Sequence, residues 1–251
     1  MAGWLRVVAR GMVLLVLLYG GLVLLLALRL TGGRRINPWL PRLVSRAALR
    51  VIGIGYRTRG TPMAQAGAAV SNHASWLDIF TLNAGQNLIF VSKAEVAGWP
   101  GIGWLARATG TLFIRRDPKE ARAQQLAMEH RIRAGQRLLF FPEGTSSDGL
   151  RVLPFKSTLF QAFFAEGLRD LMWVQPVTVI YRAPSGADPR FYGWWGDMAF
   201  GPHLLQLLAA GRQGTAEVVF HPPLRVADFA SRKDLAAACE AAVRAAYPAL
   251  P

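Results

Sequence analysis

The sequence predicts an α/β protein: a mixed, largely parallel sheet covered by helices, preceded by an N-terminal membrane-anchoring helix. Three observations carry that reading. Short runs rich in Val, Ile, Leu and Phe alternate with helical stretches across residues 53–251, the pattern of strands joined by crossover helices. An uncharged apolar run fills residues 11–28. The 251 residues, 52% of them hydrophobic, suffice for one large core. That balance is too apolar for a disordered chain and too polar for a polytopic membrane protein.

Residues 11–28 are bracketed by Arg6 and Arg10 before and Arg29 after. At about 1.5 Å per residue such a helix spans about 27 Å, close to a hydrocarbon core. A signal peptide shares this start, but no small-x-small cleavage site follows. The chain continues Arg29-Leu30-Thr31-Gly32-Gly33-Arg34-Arg35, so the run reads as a retained anchor. Arg29, Arg34, Arg35, Arg42, Arg46 and Arg50 follow it against two Arg before it, which places the globular part on the cytoplasmic side. Residues 38–52 predict a second, amphipathic helix. Arg42, Arg46 and Arg50 form a basic stripe beside Trp39, Leu43, Ala47 and Val51, and no acid nearby neutralises it. That helix is expected in the headgroup region. Residues 1–52 form the anchoring segment and 53–251 the globular domain.

The formal charge of +14 is uneven. Residues 1–77 contain ten Arg and no acid; the first is Asp78. Residues 78–251 hold 19 basic and 15 acidic residues. Positive charge gathered beside the most apolar segment favours an anionic membrane surface over nucleic acid, since a nucleic-acid binder needs no greasy helix at its basic patch. A single cysteine, Cys239, excludes a disulfide framework, a CxxC redox pair and a Cys-rich zinc site.

Within the domain, strands are expected at 68–71, 88–91, 111–114, 137–141, 173–181 and 217–220. Helices fall near 75–84, 99–108, 117–134, 157–168, 201–210 and 228–246. Pro100, Pro118 and the Ser231/Asp234 pair mark helix starts.

Two places carry chemistry. Ser71-Asn72-His73-Ala74-Ser75-Trp76-Leu77-Asp78 follows a small apolar strand and opens a helix. Ser75 and Asp78 have capping spacing, which leaves His73 unexplained. On a continuous helix residues five apart lie about 140° from one another, so His73 and Asp78 meet only if His73 sits in the turn before the helix. There the carboxylate can accept Nδ1–H, leaving Nε2 free to take a proton. The second place, Phe140-Phe141-Pro142-Glu143-Gly144-Thr145, ends an apolar strand. It reads as a polar turn, or as a carboxylate and hydroxyl presented at the sheet edge where α/β folds bind ligands.

Four motifs occur in order: N-H-x-x-x-x-D at 72–78, G-x-x-F-I-x-R at 110–116, F-P-E-G-T at 141–145 and V-x-P-V at 174–177. Together they resemble the four blocks of the glycerolipid acyltransferases, especially the bacterial 1-acylglycerol-3-phosphate acyltransferases, over residues 50–225. The resemblance implies a lysolipid acceptor and an acyl thioester donor, of acyl carrier protein or coenzyme A, with no cofactor and no metal. It implies acyl transfer at the cytoplasmic face of the bacterial inner membrane, forming phosphatidic acid. It makes His73 the base and Asp78 its orienting partner. Arg116 would hold the acceptor's anionic head group, as a guanidinium fork suits phosphate, although Arg115 stands where the family often has an acid. Glu143, Gly144 and Thr145 would shape the acceptor site, and Pro176 would set the strand beside it.

One departure bears on the acceptor. Many phosphatidic-acid-forming relatives place Arg after the Thr of the third block. This chain has Ser146-Ser147-Asp148-Gly149, then Arg151 and Lys156 further on. Losing that cation and gaining Asp148 is also similar to the branch that acylates lyso-ornithine lipid, whose head group bears an ammonium. A non-catalytic lipid-binding protein, its motifs only capping a helix, is the other reading. His130, His203 and His221 read as structural. Phe191, Trp194 and Trp195 form an aromatic cluster for core or lipid. No Walker loop, G-x-S-x-G elbow, HExxH or dinucleotide fingerprint is present.

Overall fold

The computed structural model describes residues 1–30, 39–115, 117 and 119–247. Helices α1 (Ala2–Leu30) and α2 (Trp39–Ile52) come first, then strands β1 (Gly55–Arg59) and β2 (Gly67–Ser71). Next are α3 (Asp78–Gly85), β3 (Ile89–Lys93), α4 (Ile102–Ala108), β4 (Leu112–Ile114), α5 (Ala121–Arg133) and β5 (Arg137–Phe140). The chain closes with β6 (Trp173–Arg182), α6 (Phe200–Ala209), β7 (Thr215–Phe220), β8 (Leu224–Arg225) and α7 (Arg232–Ala246).

The strands form one sheet in the order β1-β7-β6-β2-β5-β3-β4, with β8 also on β6. Strands β6, β2, β5, β3 and β4 run parallel to one another, while β7 and β8 meet β6 antiparallel. The expected mixed, largely parallel sheet is present. Because five neighbouring strands point the same way, the loops after β2, β5, β3 and β4 leave at one edge of the sheet. That edge is where open α/β sheets receive ligands.

Apolar side chains fill both faces. On one, Leu49, Leu77, Leu82, Val177, Val179 and Leu207 pack under α1, α2, α3 and α6. On the other, Val70, Leu138, Phe160, Phe163, Leu235 and Val243 pack under α7 and the 157–164 segment. This segment was expected as an α-helix and is a 3₁₀ helix. Its buried Phe160 and Phe163 are three apart, so a threefold turn points both at the core. β1 was not foreseen, and it carries Arg57 and Arg59. It is an edge strand, where outward charges are expected.

α1 is long and apolar enough to cross a membrane, with Leu5, Met12, Val16, Val23 and Leu26 among its exposed side chains. Both of its ends are tied to the domain. Arg6 Nε donates to Ala209 O at 2.9 Å, and Arg10 donates to Leu208 O and Ala210 O at 3.0 and 2.7 Å. Arg29 donates to Ala108 O at 2.5 Å. These carbonyls end α6 and α4, where guanidinium groups meet the negative pole of a helix. α2 buries Leu40, Ala48, Leu49 and Ile52, while Arg42 and Arg46 donate to Ala84 O at the end of α3. Of the expected apolar stripe, Trp39 and Leu43 stay outward with Arg50, while Val51 packs against the core.

Candidate active site

The geometry starts at the end of β2. Asn72 is buried and clips the chain to β6: its Nδ2 donates to Val179 O at 2.9 Å and its Oδ1 accepts from Val179 N at 2.8 Å. Released from the sheet, residues 72–77 make a turn, and α3 begins at Asp78 rather than at 75. The delay has a cause. Oδ2 of Asp78 accepts the backbone N–H of Ala74 and Ser75 at 2.9 and 3.1 Å, so the carboxylate, not a helical carbonyl, organises the first residues.

That turn brings His73 to Asp78. His73 Nδ1 lies 2.6 Å from Asp78 Oδ2. Asp78 is fully buried, while the His73 side chain is 22% exposed. A carboxylate only accepts, so Nδ1 carries the proton and Nε2 presents a lone pair. Nε2 has no hydrogen-bond partner among the described residues. The ring lies on Phe141, with centroids 4.0 Å and planes 16° apart. Asp78 Oδ1 accepts from the Tyr181 hydroxyl at 2.8 Å.

The loop after β5 closes against this turn. Ser147 N donates to His73 O at 2.8 Å, and Trp194 N donates to Ala74 O at 2.9 Å. Gly193 runs so close to the Asp148 carbonyl that a Cβ there would collide with it. Glu143 is buried at the start of the loop, and no donor reaches either of its oxygens with hydrogen-bond geometry. Burial pushes its carboxyl up to about 8, despite the nearby backbone amides of Leu153 and His73 that pull it back. Ser75 Oγ and Trp194 Nε1 are likewise buried without partners. Such atoms each cost about 1–3 kcal/mol, and these lie around the turn that holds His73 and Asp78.

Gly144 has φ +72°, and a Cβ there would lie 2.8 Å from Lys156 Nζ. Glycine is favoured here by the left-handed turn. Thr145 is exposed. Asp148 pairs with Arg151 at 3.2 Å on the same loop. Arg116 lies outside the described residues. Its neighbour Arg115 is exposed and paired with Glu120 at 3.1 Å. Arg115, Ala94, Glu95 and Asp117 line a shallow groove after β3 and β4, on the His73 edge of the sheet.

Pro176 sits mid-sheet, where its missing N–H would orphan a partner. His221 N donates to Pro176 O at 3.1 Å, and His221 O is served instead by Gln175 Nε2 at 2.8 Å. His203 accepts from Trp76 Nε1 at 2.9 Å, and His221 bonds Thr178 at 2.8 Å; both are tied into the fold. Cys239 is buried, and burial raises its thiol far from reactivity. Sequence reasoning missed Tyr181 and the stacking role of Phe141. A tyrosine on the buried Val177/Val179 face of β6 was the available signal.

The arrangement can take a proton from a hydroxyl placed at His73 Nε2. The chain is also similar to known proteins. The Acyltransferase family model matches residues 56–180. A lyso-ornithine lipid O-acyltransferase of Rhodobacter capsulatus is 62% identical, over 97% of this chain and 91% of that protein. One of Brucella abortus is 36% identical, over 88% and 85%. A 1-acyl-sn-glycerol-3-phosphate acyltransferase of Neisseria gonorrhoeae is 36% identical, over 51% of each. The crystal structure of the 1-acyl-sn-glycerophosphate (LPA) acyltransferase PlsC from Thermotoga maritima superposes with a TM-score of 0.71, covering 98% of this chain and 95% of that one. At 20% identity it shows the fold alone.

Proposed function

The chain belongs to the acyltransferase family, and from that premise we propose that it acylates the free hydroxyl of lyso-ornithine lipid, forming ornithine lipid. At the coarser level it is an acyltransferase of lysolipids. The observation that carries the chemistry is the 2.6 Å contact from Asp78 Oδ2 to His73 Nδ1. It aims a basic Nε2 outward from a sheet edge.

The acceptor hydroxyl donates its proton to His73 Nε2 as its oxygen attacks the thioester carbonyl carbon. Buried Asp78 steadies the imidazolium that forms. The tetrahedral adduct then breaks its C–S bond, and the departing sulfur takes the proton from Nε2. An ester and a free thiol result, and no residue of the chain is acylated. The donor is a thioester of acyl carrier protein or coenzyme A, and no cofactor or metal enters the steps.

The motifs alone placed lysophosphatidate first. The order reverses because relatives matched over most of their length are named for lyso-ornithine lipid, whereas the Neisseria enzyme matches over about half. The loop supports this. Ornithine offers an ammonium and a carboxylate, and the Asp148–Arg151 pair next to the His73 turn offers the complementary charges. Phosphatidic acid formation is the second reading, and Arg116 would then meet the phosphate. Glu143, Gly144 and Thr145 shape the acceptor side of the site. Arg6, Arg10 and Arg29 tie both ends of α1 to the domain, which supports α1 lying in one leaflet with its apolar face in lipid; the reading of the domain on the cytoplasmic face rests on the arginine count around the apolar run. Acyl transfer measured side by side on lyso-ornithine lipid and lysophosphatidate tests the assignment. A higher kcat/KM for lyso-ornithine lipid supports it, and a preference for lysophosphatidate restores the second reading.

A further inference from the structure

The His73–Asp78 pair does not stand alone. Asp78 is fully buried and both its oxygens are engaged: Oδ2 by His73, Ala74 and Ser75, and Oδ1 by Tyr181. Three of these donors come from the same turn. The fourth comes from β6, across the core, 103 residues later in the chain.

Tyr181 is itself held from two sides. Thr81, one helical turn beyond Asp78 on α3, lies with Oγ1 2.9 Å from the Tyr181 hydroxyl. Since the phenol gives its one hydrogen to Asp78, Thr81 donates to the phenol. The Tyr181 ring packs on Tyr192, with centroids 5.6 Å apart. Burial and the Asp78 charge together push the phenol well above its ordinary range, so it remains a donor at any working pH. A carboxylate bonded only through Oδ2 would be free to rock about its own axis. The bond at Oδ1 fixes the plane, and so aims Oδ2 at Nδ1.

We propose that Tyr181 is a positioning residue for the base: by holding Oδ1 of Asp78 it fixes the carboxylate plane that sets the His73 tautomer and ring orientation. Its buried hydroxyl is engaged by Asp78 and Thr81, so it acts through Asp78. The effect therefore appears in turnover rather than in binding. This rests on His73 being the base.

Tyr181→Phe keeps the ring and its packing and deletes only the hydroxyl. In the full-length enzyme, assayed with lyso-ornithine lipid, kcat is expected to fall about tenfold or more, the scale of one hydrogen bond to a charged group. KM should stay within about twofold, since binding is untouched. The downfield imidazole N–H resonance of His73 should move or broaden, while that of His203 stays in place. Thr81→Val, nearly isosteric, is the second variant, with a smaller kcat loss and the same resonance affected. Unchanged kcat and an unchanged His73 resonance in Tyr181→Phe would overturn the proposal. Should Tyr181→Phe fail to fold, an unchanged kcat and resonance in Thr81→Val would do so. His73→Ala in the same assay separates the two levels. If it is inactive, a normal Tyr181→Phe refutes only the positioning role; if it stays active, the base assignment falls and the positioning role with it.

Discussion

The imidazole of His73 lies nearly flat on the phenyl ring of Phe141, 16° from parallel and 4.0 Å between centroids. Phe141 is the residue after β5, so a neighbouring strand supports the ring from below while Asp78 holds its edge. Removing that support leaves the imidazole free to tilt about its bond to Asp78. Phe141→Ala should lower kcat about three- to tenfold, the scale of one aromatic contact, and Phe141→Tyr should restore most of it. Steady-state kinetics on the two variants checks this.

Asp78→Asn leaves the shape of the turn but changes its donors. The amide presents an NH₂ where Tyr181 or the Ala74 and Ser75 amides now donate, and it no longer stabilises an imidazolium. Loss of turnover is expected at about a thousandfold or more. The melting temperature should fall as well, because a buried donor is left without its acceptor.

Glu143 gives a pH signature. Its folded carboxyl is held up at about 8 by burial, above the ordinary value of about 4.5 when unfolded. The folded state then binds its proton more tightly than the unfolded state does. The stability this contributes is complete below about pH 4.5 and is lost as pH rises through about 8. Glu143→Gln cannot ionise, so it should remove that part of the slope. By pH 8 it should melt about 2–4 °C or more above the parent. Melting curves at pH 5, 6.5 and 8 would show the two proteins diverging, and parallel curves would count against a buried neutral carboxyl.

Much of this site was legible beforehand, for reasons that differ by residue. His73 and Asp78 stand five apart, and only a turn before the helix lets them meet, a condition read from the spacing that the structure fulfils. The β5 turn was readable from Pro142 and Gly144, which permit little else. Tyr181 was not, because hydrogen bonding across the sheet depends on which strands are neighbours, and the pairing of β2 with β6 leaves no local signature. The edge strand β1 was missed since an outer strand needs only one apolar face and Arg57 and Arg59 occupy the other. The arginine stripe of α2 looked like a set of headgroup contacts, yet Arg42 and Arg46 end on the Ala84 carbonyl of α3, as Arg6, Arg10 and Arg29 of α1 end on carbonyls of α6 and α4. Charge counting alone does not distinguish a helix C-terminus from a phosphate.

The proposed acceptor preference rests in part on the loop after Thr145. Ser146→Arg combined with Asp148→Asn supplies a cation for phosphate and removes the carboxylate suited to an ammonium. The ratio of kcat/KM for lysophosphatidate over lyso-ornithine lipid should rise about tenfold or more, as one gained and one lost charged contact would give. An unchanged ratio would locate selectivity elsewhere.

The central claim is that a histidine at the end of β2 removes the proton from a lysolipid hydroxyl. The most direct measurement is acyl transfer from an acyl thioester to lyso-ornithine lipid in membranes carrying equal amounts of the parent or His73→Ala. The account predicts transfer by the parent and near-complete loss in His73→Ala, with the variant still folded and membrane-bound. Transfer at the parental rate by His73→Ala would contradict it.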